Sequence, residues 1–328
     1  ISPTTPAEGT EFTMIIRSIW NYLQPVNFWT SIEGLPTLIT AQIGLVGNAV
    51  VLWLLGFRMH KNALSVYILN LAGADFLFLC FHVIVSLNKL NLTFLFFLDF
   101  ILKYLPIVMI CSYLTGLSML SAISAERCLS ILCPIWYSCH RLIHTSAVIC
   151  AILWALSLLL SILDLYYCFF LSMNFNYWCQ TFSFIIAAWL IILFMVLSIS
   201  SLTLLVRILC GSRRVPLTRL YVTIGLIVLV FLICGLPISI LSFLSLWIHN
   251  NDVILHFSER TALFLSCINS SAKPIIYIFV GSCRRGQNLW RQQPSLKLVL
   301  EKAFQDIPEV KKSGESLPQE TTESPVVP

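Results

Sequence analysis

Seven stretches of the sequence carry almost no charge, and they constrain the fold more than any other feature. They are residues 34–57, 64–87, 104–125, 145–163, 183–206, 220–248 and 261–281, and the charges within them are Asp75 and Lys273. About 20 apolar residues in a helix cross the hydrocarbon core of a bilayer. A helix is required because each backbone group in lipid needs a partner within its own segment. The pattern predicts an all-α membrane protein, a seven-transmembrane helix bundle.

The remaining segments are short. Only 11% of the 328 residues are charged, against about 25% in soluble domains, which excludes a soluble enzyme. We expect the bundle to cover residues 34–282, between an N-terminal segment at 1–33 and a tail at 283–328. The tail begins with mixed basic and apolar residues, which favour a short amphipathic helix on the inner leaflet. Its polar, Pro-containing end is typical of disorder.

The distribution of Lys and Arg predicts the orientation of the bundle. The first, third and fifth loops and the segment after the seventh helix contain Arg58, Lys61, Arg127, Arg141, Arg207, Arg213, Arg214, Arg219, Arg284, Arg285 and Arg291. The opposite side contains Arg17, Lys89, Lys103 and Arg260. We therefore expect a multi-pass protein of the plasma membrane with an extracellular N-terminus.

Glu126 and Arg127 directly follow the uncharged residues 104–125. A membrane stop signal would explain the Arg, but the adjacent acid can also hold it in a local ion pair. The sequence Glu-Arg-Cys resembles the Asp-Arg-Tyr motif of rhodopsin-like G-protein-coupled receptors, in which the Arg is held at rest and released toward the G protein. Further landmarks of that family are present in the corresponding helices: Asn48, Asp75, Trp154, Pro237, Pro274 and Tyr277.

The resemblance is closer to one branch of that family. The segments SVYILNLAGADFLFLC (65–80), GLSMLSAISAERCLSILCPIWY (116–137) and NSSAKPIIY (269–277) are similar to the Mas-related receptors, especially the X-type members. This implies a receptor for an extracellular basic peptide or cationic small molecule, with a sensory, itch, pain or mast-cell role. It implies heterotrimeric G proteins, arrestin and the lipid bilayer as partners, and neither nucleic acid, cofactor nor enzymatic activity.

Asp75 and Lys273 are the two charges deep in the predicted membrane region. A lone charge there costs about 3 kcal/mol or more, so each is a candidate functional residue. In rhodopsin-like receptors the position of Asp75 binds sodium and couples to helix seven through an Asn, where this chain has Lys273. We expect the two opposite charges to pair, because either alone would be stranded in a dry interior. Such a pair would put an ammonium where relatives hold sodium.

Lys273 also suggests other functions. A Lys in helix seven can form a Schiff base with retinal, but in opsin-like receptors that Lys lies about six residues earlier, where this chain has Cys267. A transporter would be expected to have more intramembrane charges and paired interrupted helices. An orphan or impaired receptor, locked by Lys273, is the alternative closest to the main reading. The histidines at 140 and 144 are spaced for metal binding, but a solvated basic turn explains them better.

The resemblance also indicates an outer ligand site. The position that grips amines in helix three is Met109, so Asp164, at the end of helix four, is the candidate cation-binding residue. Related receptors have a second acid at the start of helix five, where this chain has Ser183. Aromatic positions that line the same pocket correspond to Tyr113, Phe170 and Trp247.

Covalent features follow from the same comparison. Cys168 and Cys179 lie in the outer loop between helices four and five, and the resemblance implies a disulfide between them, since the helix-three position that usually tethers this loop is Leu102. Asn91 begins an Asn-Leu-Thr acceptor sequence for glycosylation. Cys283, after helix seven, is a candidate for palmitoylation, although a plain thiol explains it equally well.

Overall fold

The computed structural model describes residues 28–58, 63–89, 98–133, 145–167, 176–210, 219–237 and 252–282, with isolated positions at 135, 137 and 240. These residues form helices α1 (Phe28–Trp53), α2 (Ala63–Lys89), α3 (Leu98–Leu132), α4 (Thr145–Leu165), α5 (Asn176–Cys210), α6 (Arg219–Val230) and α7 (Asp252–Ser282). A π turn continues α1 over Leu54–Arg58, and another continues α6 over Phe231–Gly235. The predicted all-α architecture of seven helices is confirmed.

Six of the described helices contain segments that are long and apolar enough to cross a membrane: Gly34–Arg58, Ala63–Asn88, Tyr104–Leu132, Thr145–Leu165, Thr181–Leu204 and Arg260–Val280. The sixth helix contributes a shorter apolar segment, Val222–Gly235. Most of the rest of its predicted stretch, up to residue 248, lies outside the described residues, as does the predicted amphipathic helix after α7. The orientation of the bundle stays a prediction.

α3 is the central helix of the bundle. It packs against α2, α4 and α5, while α7 closes the ring by packing against α1, α2 and α6. The membrane-crossing segment of α3 is accordingly 78% buried, whereas that of α4 is 28% buried. α4 is joined to α2 by Trp154, whose Nε1 donates a hydrogen bond of 3.0 Å to Asn70 Oδ1. The outward side of α4 exposes large apolar side chains, including Ile152 and Leu159, as expected for contact with lipid.

Several buried hydroxyl groups bond to the backbone of their own helix. Ser118 Oγ donates to the Leu114 carbonyl oxygen at 2.7 Å, and Ser200 Oγ donates to that of Val196 at 2.6 Å. Such a bond satisfies a hydroxyl in an apolar environment without a partner on another helix. Substitution of such a serine by alanine is therefore a control for substitution of the hydroxyl groups that connect helices.

Candidate functional site

The two charges of the membrane interior meet at the centre of the bundle. Lys273 Nζ on α7 donates a hydrogen bond of 2.7 Å to Asp75 Oδ1 on α2, and their side chains are 2% and 5% exposed. The predicted ion pair is therefore confirmed, since each charge has the opposite charge beside it. The Ser270 hydroxyl also lies beside this carboxylate, although among the described residues Asp75 Oδ2 has no hydrogen-bond partner of standard geometry. The role of the pair in activation stays a prediction.

A further helix, α3, and a tyrosine of α7 lie close to this ion pair. A Cβ added to Gly116 of α3 would lie 4.0 Å from Asp75 Oδ1, so α3 passes close to the carboxylate with only a hydrogen in place of a side chain. Tyr277, one turn beyond Lys273 on α7, is fully buried and within electrostatic range of Asp75. The ion pair is therefore surrounded by packed groups of α3 and α7 as well as by its own two side chains.

A polar seam joins α1 to the same part of α7. Asn48 Nδ2 donates to the Gly44 carbonyl at 2.9 Å and to the Ser270 carbonyl at 3.2 Å. The helices approach closely here, because a Cβ added to Gly44 would lie 2.6 Å from Ser271 Cβ. Ser270 thus contacts α1 through its carbonyl and the Asp75 region through its hydroxyl. Through Ser270, these polar contacts connect Asn48 to the surroundings of the buried ion pair.

Near the C-terminal end of α3, the predicted inner end, Arg127 is buried and Glu126 is partly buried. The Glu126 carboxylate accepts a hydrogen bond from the Tyr67 hydroxyl of α2, with an O–O distance of 3.3 Å. The Ser130 hydroxyl donates to the Arg127 carbonyl at 2.9 Å. The expected ion pair between Glu126 and Arg127 stays a prediction, but the acid has a partner on another helix.

At the C-terminal end of α4, the predicted outer end, Asp164 faces α5. Its side chain is only 1% exposed. Ser183 is its polar neighbour on α5, although the Ser183 Oγ atom falls short of a standard hydrogen bond and has no such partner among the described residues. Ser183 therefore lies beside Asp164, at the position where the resemblance implies a second acid. Ligand binding by Asp164 stays a prediction.

Aromatic rings lie where the C-terminal end of α4 meets the N-terminal part of α5. Tyr167 stacks on Phe182, with ring centroids 4.8 Å apart and planes inclined by 15°. Tyr167 also lies 6.0 Å from the Trp178 ring. The neighbouring Cys179 is disulfide-bonded. Its predicted partner, Cys168, lies outside the described residues, so that pairing stays a prediction.

Tyr113 takes part in a contact between α3 and α6. Its hydroxyl donates a hydrogen bond of 3.1 Å to the Gly235 carbonyl, in the π turn that continues α6. Tyr113, a predicted pocket residue, therefore contacts the backbone of α6. The other predicted pocket aromatics, Phe170 and Trp247, lie outside the described residues, as do Asn91 and Cys283.

Sequence reasoning misses Tyr67 and Ser270, which link the motif residues across helices. A tyrosine within an apolar stretch is a signal, because a buried phenol hydroxyl needs a hydrogen-bond partner. That signal does not identify the partner, which is 59 residues away in the chain. Ser270 has a weaker signal, since serine hydroxyls commonly bond within their own helix.

Comparisons with known proteins agree with the seven-helix architecture. Residues 47–277 match the family described as 7 transmembrane receptor (rhodopsin family). The chain is 56% identical over 326 residues to the Mas-related G-protein coupled receptor member X2 of Homo sapiens, with 98% of each chain covered. The proteins of that name from Pan troglodytes and Macaca mulatta are 56% and 55% identical over 325 and 326 residues, again with 98% of each chain covered.

Proposed function

The chain belongs to the rhodopsin family of seven-transmembrane receptors and, within it, to the Mas-related G-protein-coupled receptors, and we propose that it senses a basic peptide or a cationic small molecule. It is a membrane-spanning receptor and not an enzyme. The proposal includes an extracellular N-terminus, since Lys and Arg concentrate on the opposite side. A sensory or mast-cell role and arrestin recruitment belong to the same proposal.

Asp164 carries the proposal about the ligand. Its carboxylate lies at the outer end of α4 and is buried against α5. Hydrogen bonds between a cation and a carboxylate are among the strongest polar contacts, and low dielectric surroundings strengthen them. Ser183 offers a neutral hydroxyl where two-acid relatives have a second charge. We therefore propose one strong cation contact, which favours a ligand with a single essential cationic group.

The aromatic rings beside Asp164 suit such a ligand. Tyr167, Phe182 and Trp178 offer apolar faces that can hold the body of a peptide side chain, and such faces attract cations. Because the Asp164 side chain is buried, a ligand reaches it only in a conformation in which the groups that cover it have moved. Ligand binding would then shift a pre-existing equilibrium toward that conformation.

The signal passes from this site to the inner end of the bundle. We propose that the agonist-bound conformation opens an inner cleft around Arg127 for the G protein. Gly235 stands where many relatives of the wider family have a Trp, so its backbone contact with Tyr113 replaces a side-chain contact on α6. A ligand bound at a shallow site would act on α6 through the contact between Tyr113 and Gly235.

A locked receptor is the second candidate function. The ion pair between Lys273 and Asp75 favours it, because a salt bridge of 2.7 Å in the dry interior ties α7 to α2 in one arrangement. Loss of either partner leaves a buried charge unpaired, so separation of the two helices is opposed. In this reading the protein reaches the cell surface but responds weakly to any agonist.

A calcium-mobilisation and G-protein-activation screen in transfected cells tests these proposals. Basic peptides are compared with peptides of the same length in which Gln replaces Lys and Arg. We expect responses to the basic set alone, reduced by Asp164→Asn and unchanged by the control Ser200→Ala. Equal responses to both sets would overturn the ligand proposal. A response that appears only in Lys273→Asn would support the locked receptor, and ligand-driven current without G-protein activation would indicate a transporter.

A further inference from the structure

We propose that Tyr67 of α2 is a positioning residue for Glu126, which holds the Glu126 carboxylate at the junction of α2, α3 and α4 and thereby limits ligand-independent signalling. The proposal rests on the proposed role of Arg127 at the G-protein cleft, and it is independent of the ligand that the outer site binds.

The Tyr67 ring has a fixed position. It is fully buried within the apolar core shared by α2 and α3. Rings packed at interior density have no room to move aside, so the hydroxyl projects from a rigid support. That hydroxyl donates its hydrogen bond to Glu126 Oε1 at 3.3 Å. The contact therefore fixes the carboxylate relative to α2, and not only relative to its own helix.

α4 contributes to the same junction. The Ser146 hydroxyl, at the inner end of α4, lies within hydrogen-bonding range of the Tyr67 hydroxyl and is buried. Cys150, one turn further along the same face of α4, lies within electrostatic range of both Tyr67 and Glu126. Because the Tyr67 proton is donated to Glu126, the Ser146 hydroxyl can contribute only as a donor to the Tyr67 oxygen, which leaves the Tyr67 proton directed at the carboxylate. Three helices thus converge on one acid.

The junction constrains Arg127 through the helix geometry. Adjacent residues of an α-helix differ by about 100° in direction, so Glu126 and Arg127 point to different sides of α3. Fixing Glu126 between α2 and α4 therefore fixes the rotation of the inner end of α3. Arg127 is held in its buried position by that rotation, and a turn of α3 that swings it out breaks the contact between Tyr67 and Glu126.

The test measures binding of a GTP analogue to a panel of purified heterotrimeric G proteins, added without ligand to membranes with equal amounts of surface receptor. We expect Tyr67→Phe to raise this basal exchange about fivefold, because it removes one hydrogen bond from the resting state and keeps the ring. Ser146→Ala should produce a smaller rise. Ser200→Ala, which removes a buried hydroxyl that bonds its own helix, should leave basal exchange unchanged.

A double-mutant comparison separates positioning from a merely structural role. In a Glu126→Ala background the acceptor is gone, so Tyr67→Phe should cause no further rise. A structural role would instead lower surface expression equally in both backgrounds without raising exchange. Where basal exchange of the wild-type chain is at background, the same series is run with Lys273→Asn. Unchanged exchange in Tyr67→Phe in both series, or an equal rise without Glu126, would overturn the proposal. Either outcome leaves the ligand proposal standing.

Discussion

The Tyr113 hydroxyl on α3 lies 3.1 Å from the Gly235 carbonyl oxygen and donates a hydrogen bond to it. Gly235 is the last residue of the π turn that continues α6. π turns are rare and occur mostly as single turns within helices, frequently at functional sites. The contact therefore joins the central helix to α6 at the point where α6 already departs from regular geometry.

Gly235→Ala should destabilise this junction. The added Cβ would lie 2.7 Å from Phe231 Cε2 and 3.3 Å from Asn269 Nδ2, and the Phe231 ring is buried. Overpacking of this kind costs about 1–3 kcal/mol, which thermal unfolding of the detergent-solubilised receptor would measure. Gly225→Ala on the same helix is the control, because its added Cβ meets nothing within 4 Å. Equal melting temperatures of the two variants would contradict the prediction.

Asp75→Asn should impair folding, because it leaves the Lys273 ammonium buried without a carboxylate. Removing one partner of a buried pair costs about 3–5 kcal/mol. The double change Asp75→Asn with Lys273→Asn should recover much of that loss, since no charge remains. Surface expression and thermal unfolding measure both effects. Normal expression and signalling of Asp75→Asn with Lys273 intact would show that the pair contributes little.

Sodium should have little effect on signalling by the natural sequence. The Lys273 ammonium lies 2.7 Å from Asp75 Oδ1, so a sodium ion beside this carboxylate would be a second cation, and two cations at one carboxylate repel each other. Lys273→Asn should create sodium sensitivity and change basal activity. The measurement compares agonist responses in sodium buffer and in buffer of equal ionic strength with a large organic cation. A strong sodium effect on the unmodified chain would disprove this account of the site.

Ser183→Asp should raise the potency of cationic agonists. The second carboxylate would face the same outer region as Asp164, and an ionic hydrogen bond that is partly desolvated contributes about 1–3 kcal/mol. Asp164→Ala should lower potency by a similar amount. Concentration–response curves for mono- and dibasic peptides measure both changes at matched expression. If neither change alters potency while both variants express normally, the cation contact lies elsewhere.

Peptide mapping without reduction should recover Cys179 linked to Cys168. Cys179 is disulfide-bonded, and the family resemblance implies Cys168 as its partner. Loss of either residue should lower surface expression, because the loop between α4 and α5 would lose this covalent closure. Recovery of Cys179 linked to any other cysteine would refute the pairing.

Charge explains why part of the site is predictable from the sequence. Asp75 and Lys273 are isolated charges in apolar stretches, and the high cost of a lone buried charge leaves pairing as the favourable outcome. The helices are predictable for a similar reason, since lipid permits few other arrangements of the backbone. The strongest penalties thus provide the most reliable signals in this chain.

Contacts whose loss costs little free energy are not predictable from the sequence in this way. Tyr67 and Glu126 contribute a single hydrogen bond, and many other positions could satisfy a tyrosine hydroxyl at similar cost. The π turn at Phe231–Gly235 has only an indirect signal, Pro237, which lies two residues beyond it and predicts a departure from regular helix without specifying its kind. The partner of a neutral group depends on packing details that residue types alone do not encode.

The separation of Asp75 and Lys273 in the chain has a consequence for biosynthesis. The two residues are 198 positions apart, and chains are synthesised at about 5–20 residues per second, so α2 exists for about 10–40 s before its counter-charge is made. During that interval the apolar remainder of α2 must keep it in the bilayer. The ion pair can form only after α7 has been synthesised and inserted. Its formation therefore reports that the last helix has packed correctly. Variants that break it should accumulate as full-length chains retained in the endoplasmic reticulum.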